Sequence, residues 1–197
     1  MQQFKSKDYV TILLVITNIA VYIFCTIQGN VLYNMGSLSV VDIIDRRDYY
    51  RILTSLFLHA NPQHIWGNMI FLAALGDMLE RSIGHGRFFA IYMLAGIGGN
   101  LLSMGHELAT GQFCSTIGAS GAVFGLIGAL LLLICKNNGT YGQISFRRMI
   151  FAIVYLFYSG TQSETTNNMA HLGGFITGFA VMAVFYCITR RRYKRIR

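Results

Sequence analysis

The chain has 197 residues, of which 54% are hydrophobic and only 12% charged, and its mean hydropathy is +0.49. A soluble domain carries about 25% charged residues, so this balance excludes an ordinary soluble fold and points to one membrane-embedded domain over residues 1–197. The net charge of +8 does not argue for a nucleic-acid partner, because six of the basic residues form the tail Arg190, Arg191, Arg192, Lys194, Arg195 and Arg197 directly after an apolar run. That placement suits a cytoplasmic topology signal meeting anionic headgroups.

In chain order, the first apolar run covers Tyr9–Ile27. With no small-residue cleavage site, it is read as a retained helix rather than a removed signal peptide. The stretch Gln28–Gln63 is too long and too apolar for a plain connector. Ser39-x-x-Asp42 resembles a capping box leading into Val40, Val41, Ile43 and Ile44, and Tyr49, Tyr50, Arg51, Leu56 and Phe57 mix apolar bodies with polar ends. A large loop lying in the outer membrane interface is the expectation. Five further spans are predicted at His64–Leu79, Phe88–Met104, Ala119–Cys135, Met149–Gly160 and Asn168–Ile188, followed by a basic tail over 189–197. The fold class is thus an all-α membrane bundle of six transmembrane helices. Cys25, Cys114, Cys135 and Cys187 lack CxxC spacing and suggest neither a disulfide framework nor a zinc ribbon.

Orientation follows from Lys and Arg. With both termini inside, thirteen basic residues face the cytoplasm, including Lys5, Lys7, Arg81, Arg87, Lys136, Arg147, Arg148 and the tail. Only Arg46, Arg47 and Arg51 lie outside, beside Asp42, Asp45 and Asp48, with Glu107 and Glu164 also outside. The even-numbered helices then run inward from the outer face. His64 and Asn68 begin the second, Ser120 the fourth and His171 the sixth, so four hydrogen-bonding side chains are expected at one depth.

Each of these groups has an ordinary use: a membrane serine bonds its own i−4 carbonyl, and His or Asn joins helices. Gly121-x-x-x-Gly125 and Gly174-x-x-x-Gly178 are small-residue patterns that bring helices together, and close approach of the fourth and sixth helices would also bring Ser120 near His171. An imidazole near neutrality can take the serine proton and return it to a leaving amine. No acidic residue is placed to orient His171, which favours a dyad over a triad. Gly118-Ala119-Ser120-Gly121 offers small neighbours around the hydroxyl.

GASGAVFG, with Ser120 third, resembles the nucleophile motif of rhomboid proteases, and AHLGGFITG, with His171, resembles their base motif. His59-x4-His64-x3-Asn68 is similar to the family's second-helix pattern, Gly76-x3-Glu80-x3-Gly84 to its turn into the third helix, and Tyr50-Arg51 to its Trp-Arg pair. The resemblance covers about Tyr50 to Gly178, with a core extending over 50–188. It implies a bacterial-type intramembrane serine endopeptidase that cuts single-span membrane proteins near the outer ends of their helices. It further implies an oxyanion site of His64, Asn68 and the Ser120 N–H, and active-site support from Gly118, Phe124 and His59. Phe124 stands where many members carry a Tyr against the base. Substrate access is expected past the fifth helix, beneath the polar loop of residues 159–168.

No cofactor or metal is implied, since His106-Glu107 lacks the second His of H-E-x-x-H. The alternatives are a non-catalytic rhomboid-like protein that binds or escorts membrane helices, and a channel or transporter. Partners are the bilayer and single-span substrates, and the expected location is a bacterial plasma membrane.

Overall fold

The structure is a computed structural model that describes residues 8–29, 31–162 and 166–195, the side chains of 190–195 excepted. Six long helices correspond to the six expected runs. They are α1 (Tyr9–Gln28), α5 (Pro62–Ile83), α6 (His85–Thr110), α7 (Ser120–Lys136), α8 (Phe146–Thr161) and α9 (Asn168–Arg195). Of these α1, α6 and the 168–189 part of α9 are long and apolar enough to cross a membrane, and α7 is a shorter apolar helix. The exposed faces are apolar too, as Ile12, Leu13, Ile16, Ile23 and Phe24 on α1 illustrate. A chain that presents such a face on helix after helix is a helical membrane protein.

Several helices exceed their expected bounds for local reasons. The second starts at Pro62, because Asn61 accepts the His64 N–H at 2.8 Å as an N-cap and Pro at N1 needs no donor. The third runs on past Met104 to Thr110 and stops at Gly111, in the left-handed region with φ 71°. The backbone of the basic tail continues α9 as helix to Arg195, in keeping with Lys and Arg as good helix formers. The basic side chains there, and Lys5, Lys7 and Glu164, lie outside the described residues.

The long loop is also more ordered than a connector. It carries α2 (Val31–Gly36), α3 (Val40–Arg46), α4 (Arg51–Thr54) and a 3-10 turn at Ser55–Phe57. Ser39 caps α3 by accepting the Asp42 N–H at 3.2 Å. The return half of a capping box is absent among the described residues, and the Asp42 carboxylate instead pairs with Arg46 and Arg51. Arg51 is nearly fully buried, bonded to Asp48 and to the Asn34 and Ser37 carbonyls. The all-α expectation needs one small amendment. Thr140–Tyr141 and Ile144–Ser145 pair as an antiparallel hairpin, where Asn138, Gly139 and Gly142 supply positive φ.

Helix α7 is the centre of the bundle, buried on nearly every face from Gly121 to Ile134. Its small residues meet α9 backbone to backbone: a Cβ on Gly174 would fall on the Gly121 carbonyl oxygen, and one on Gly178 on the Gly125 carbonyl oxygen. Large residues at these four positions would force the helices apart. At the other end of the bundle, Glu80 is wholly buried and accepts from Val10 N (2.8 Å), Thr11 N (2.7 Å) and Thr11 Oγ1 (2.6 Å). Its carboxylate therefore caps the first turn of α1, where helix amides lack acceptors.

Candidate active site

Ser120 is the first residue of α7, so its N–H is among the amides with no acceptor inside the helix. His171 lies in the first turn of α9. The close packing of these two helices brings His171 Nε2 to 3.0 Å from Ser120 Oγ. With the imidazole proton on Nδ1, Nε2 can accept from the hydroxyl. His171 Nδ1 is buried and has no hydrogen-bond partner among the described residues, so no third group orients the ring. Phe124, one turn along α7, does so by packing: its ring lies 4.1 Å from that of His171 at an interplanar angle of 10°. Phe157 of α8 meets Phe124 in turn, in an edge contact at 5.1 Å.

His64 reaches the same end of the bundle. A Cβ on Gly118 would stand 2.7 Å from His64 Nε2, and Gly118 itself has φ 126°, a backbone conformation that favours glycine. His59 is fully buried, and its ring meets His64 edge-on at 5.1 Å. Both His59 ring nitrogens are without partners among the described residues, while its carbonyl accepts from Tyr33 at 2.6 Å. Burial first, and the neighbouring His64 second, push the His59 imidazole down to about 4. Asn68 is buried one turn after His64, and its amide donates to the His64 carbonyl at 3.0 Å. That leaves one amide N–H for another acceptor. No hydrogen bond joins Asn68 to Ser120 or His171 among the described residues.

Other groups that hold the site were not singled out from sequence. The Gly118 N–H donates to the Ser55 carbonyl at 2.9 Å, and Ser55 Oγ accepts from Asn100 at 2.9 Å. Thr116 forms a two-bond bridge with Leu38 of the long loop. Glu107, expected on the outer side as a loop charge, is buried on α6 and accepts from Ser103 (3.1 Å) and from Cys114 N (3.2 Å). The only local signal for the extension of α6 is the short run of good helix formers Glu107, Leu108 and Ala109. The partners of Glu107 lie only four and seven residues away, but nothing in their local sequence marks the bonds.

Comparison with known proteins identifies the family. The Rhomboid domain family matches residues 46–187. RHOMBOID-like protein 1 of Arabidopsis thaliana is 36% identical over 156 residues, covering 78% of this chain and 39% of the plant protein. Rhomboid protease GluP of Bacillus subtilis is 33% identical over 141 residues, covering 72% of this chain and 27% of GluP. Rhomboid-like protease 1 of Toxoplasma gondii is 34% identical over 162 residues, covering 78% of this chain and 52% of the parasite protein. The chain thus spans about half or less of the length of these relatives. On the domain match and these identities together, the chain belongs to the Rhomboid family, a membrane-embedded family that includes serine intramembrane proteases.

Proposed function

We propose that this chain is an intramembrane serine endopeptidase of six spans with both termini in the cytoplasm. Ser120 is the nucleophile, His171 the general base and acid, and the active site opens to the outer face. The observation that carries the reading is the 3.0 Å contact between His171 Nε2 and Ser120 Oγ, held by a stacked Phe124. The orientation is supported by the excess of Lys and Arg on one side, together with the pairing of Arg46 and Arg51 to Asp42 and Asp48 on the other.

In this mechanism Ser120 Oγ attacks the scissile carbonyl as Nε2 takes its proton, and the imidazolium then protonates the leaving amine. The oxyanion is received by the Ser120 N–H, the free amide N–H of Asn68 and His64. With no carboxylate on Nδ1, the arrangement is a dyad. Water reaches it through the polar helix ends. Substrates are single-span membrane proteins whose helices unwind readily near the outer end, where Gly or Pro weakens the hydrogen-bond ladder. Access runs past α8, which buries little beyond Met149 and Gly160. The location is a bacterial plasma membrane.

The competing reading, a rhomboid-like protein that binds membrane helices without cutting them, has no use for a serine hydroxyl against an imidazole. Co-expression with a panel of single-span substrates decides between them. Cleavage near the outer boundary that is lost in both Ser120→Ala and His171→Ala is the expected result. Undiminished cleavage by Ser120→Ala overturns the assignment.

A further inference from the structure

Outside the dyad, a single carboxamide touches both of the segments that carry it. Asn167 immediately precedes α9, and its backbone carbonyl accepts the His171 N–H at 3.2 Å. Its Oδ1 accepts the Ala170 N–H at 3.0 Å, in the manner of a helix cap. Its amide nitrogen has two hydrogens and two acceptors: Ser103 Oγ on α6 at 2.6 Å, and Thr116 Oγ1 at 2.7 Å. Thr116 lies four residues before Ser120 on the segment entering α7, where its backbone is also bridged to Leu38.

The proton directions are consistent throughout. Ser103 has one hydroxyl hydrogen, which goes to the buried Glu107 carboxylate at 3.1 Å, so its oxygen lone pairs face Asn167. The carboxylate is itself fixed by the Cys114 N–H at 3.2 Å. The Ser120 segment, α6 and the start of α9 therefore meet at one amide group whose donors and acceptor are all engaged.

We propose that Asn167 is a positioning residue for the reaction: its amide sets the separation and register of Ser120 and His171 by tying the segment before α7 to the first turn of α9. The inference rests on the dyad proposed above. A displacement of about 1 Å in such a pair can lower a rate by as much as about 100-fold, so the tie acts on turnover rather than on substrate affinity. Loss of a helix cap alone would act on stability instead.

The two roles separate in Asn167→Ser, which keeps an oxygen for the Ala170 N–H as a helix cap but has no amide to reach Ser103 and Thr116. Thr116→Val removes the acceptor from the other side at equal volume, and stands in should the Ser variant not fold. The full chain in detergent is treated with a fluorophosphonate probe, with labelling rate, peptide kcat and KM, and thermal unfolding measured on each variant. The expected result is a labelling rate and kcat reduced about 10-fold or more at unchanged KM. Labelling at the wild-type rate in either folded variant overturns the role of Asn167, even if Tm falls. Wild-type protein that does not label at Ser120 rejects the dyad, and this role with it. Labelled wild type with unaffected variants rejects the role alone.

Discussion

Phe124 lies flat on His171, ring against ring at 4.1 Å and 10°. With Nδ1 unpartnered among the described residues, this contact is the principal restraint on the imidazole plane. Stacked aromatic pairs contribute about 0.5–1.5 kcal/mol beyond area burial. Phe124→Leu, which keeps most of the volume, is expected to lower kcat about 3- to 10-fold with KM unchanged. Phe124→Tyr keeps the stack and is expected to remain near wild type. A Leu variant with full kcat would show that the ring needs no such support.

The α7–α9 contact makes a sharper prediction, because it is backbone against backbone. Gly174→Ala would place a methyl on the Gly121 carbonyl, and neither helix backbone can yield locally. Overpacking of this kind costs about 1–3 kcal/mol, and the displaced end of α9 carries His171. Lower Tm and a loss of proteolysis larger than the loss of folded protein are expected. Gly105→Ala on α6, where a Cβ meets nothing within 4 Å, is the control and should leave proteolysis unchanged with Tm equal or slightly raised, since Ala favours a helix over Gly.

These two contacts differ in how far the sequence announces them. The small-residue spacing of Gly121, Gly125, Gly174 and Gly178 is a local pattern, and it correctly implies which helices touch. Charge bias and span order likewise put Ser120 and His171 at one end, since both facts are properties of the chain read in order. Asn167 and Glu107 have no such local pattern. Glu107 bonds to Cys114 seven residues on, but Asn167 bonds to Ser103 across 64 residues, and a polar loop composition says nothing of that partner. His59 and Arg51 were legible as motif members, whereas their burial depends on the folding of the long loop over them.

Asn68 tests the oxyanion assignment. Its amide spends one N–H on the His64 carbonyl, which leaves one free for a further acceptor. Loss of one oxyanion donor lowers turnover about 10²–10³-fold. Asn68→Ala should therefore cut kcat by about that factor while Ser120 remains present for labelling. Steady-state kinetics on a peptide substrate measure this. A change confined to KM would assign Asn68 to substrate binding.

Arg51 is the charge on which the long loop is organised. It is buried against Asp42 and Asp48, and also holds the Asn34 and Ser37 carbonyls, next to the Leu38 that bridges Thr116. The two carboxylates are part-exposed, so removing the buried guanidinium costs the bonds it makes to them and to the two carbonyls, and bonds to charged groups are worth about 1.5–3 kcal/mol each. Arg51→Ala should lower Tm strongly. Arg51→Lys should recover only part of it, since an ammonium cannot reproduce the guanidinium's several fixed directions. Thermal unfolding in detergent distinguishes the two, and equal Tm values for wild type and Arg51→Ala would discard the role.

The buried His59 imposes a pH dependence whose sign is determined. Its folded-state value, pushed to about 4 by burial and by His64, is below the ordinary histidine value of about 6.5. Protonation therefore favours the unfolded chain. The contribution of a neutral His59 is fully present above about 6.5 and is lost as pH falls from there toward about 4, below which both states are protonated and the loss levels off. Replacing His59 with Gln, which does not titrate, should flatten the stability profile in that window while lowering stability at neutral pH through poorer packing. Unfolding midpoints measured from pH 7 down to pH 4.5 on both proteins give the comparison. An identical slope for wild type and His59→Gln would move the acid sensitivity to another group.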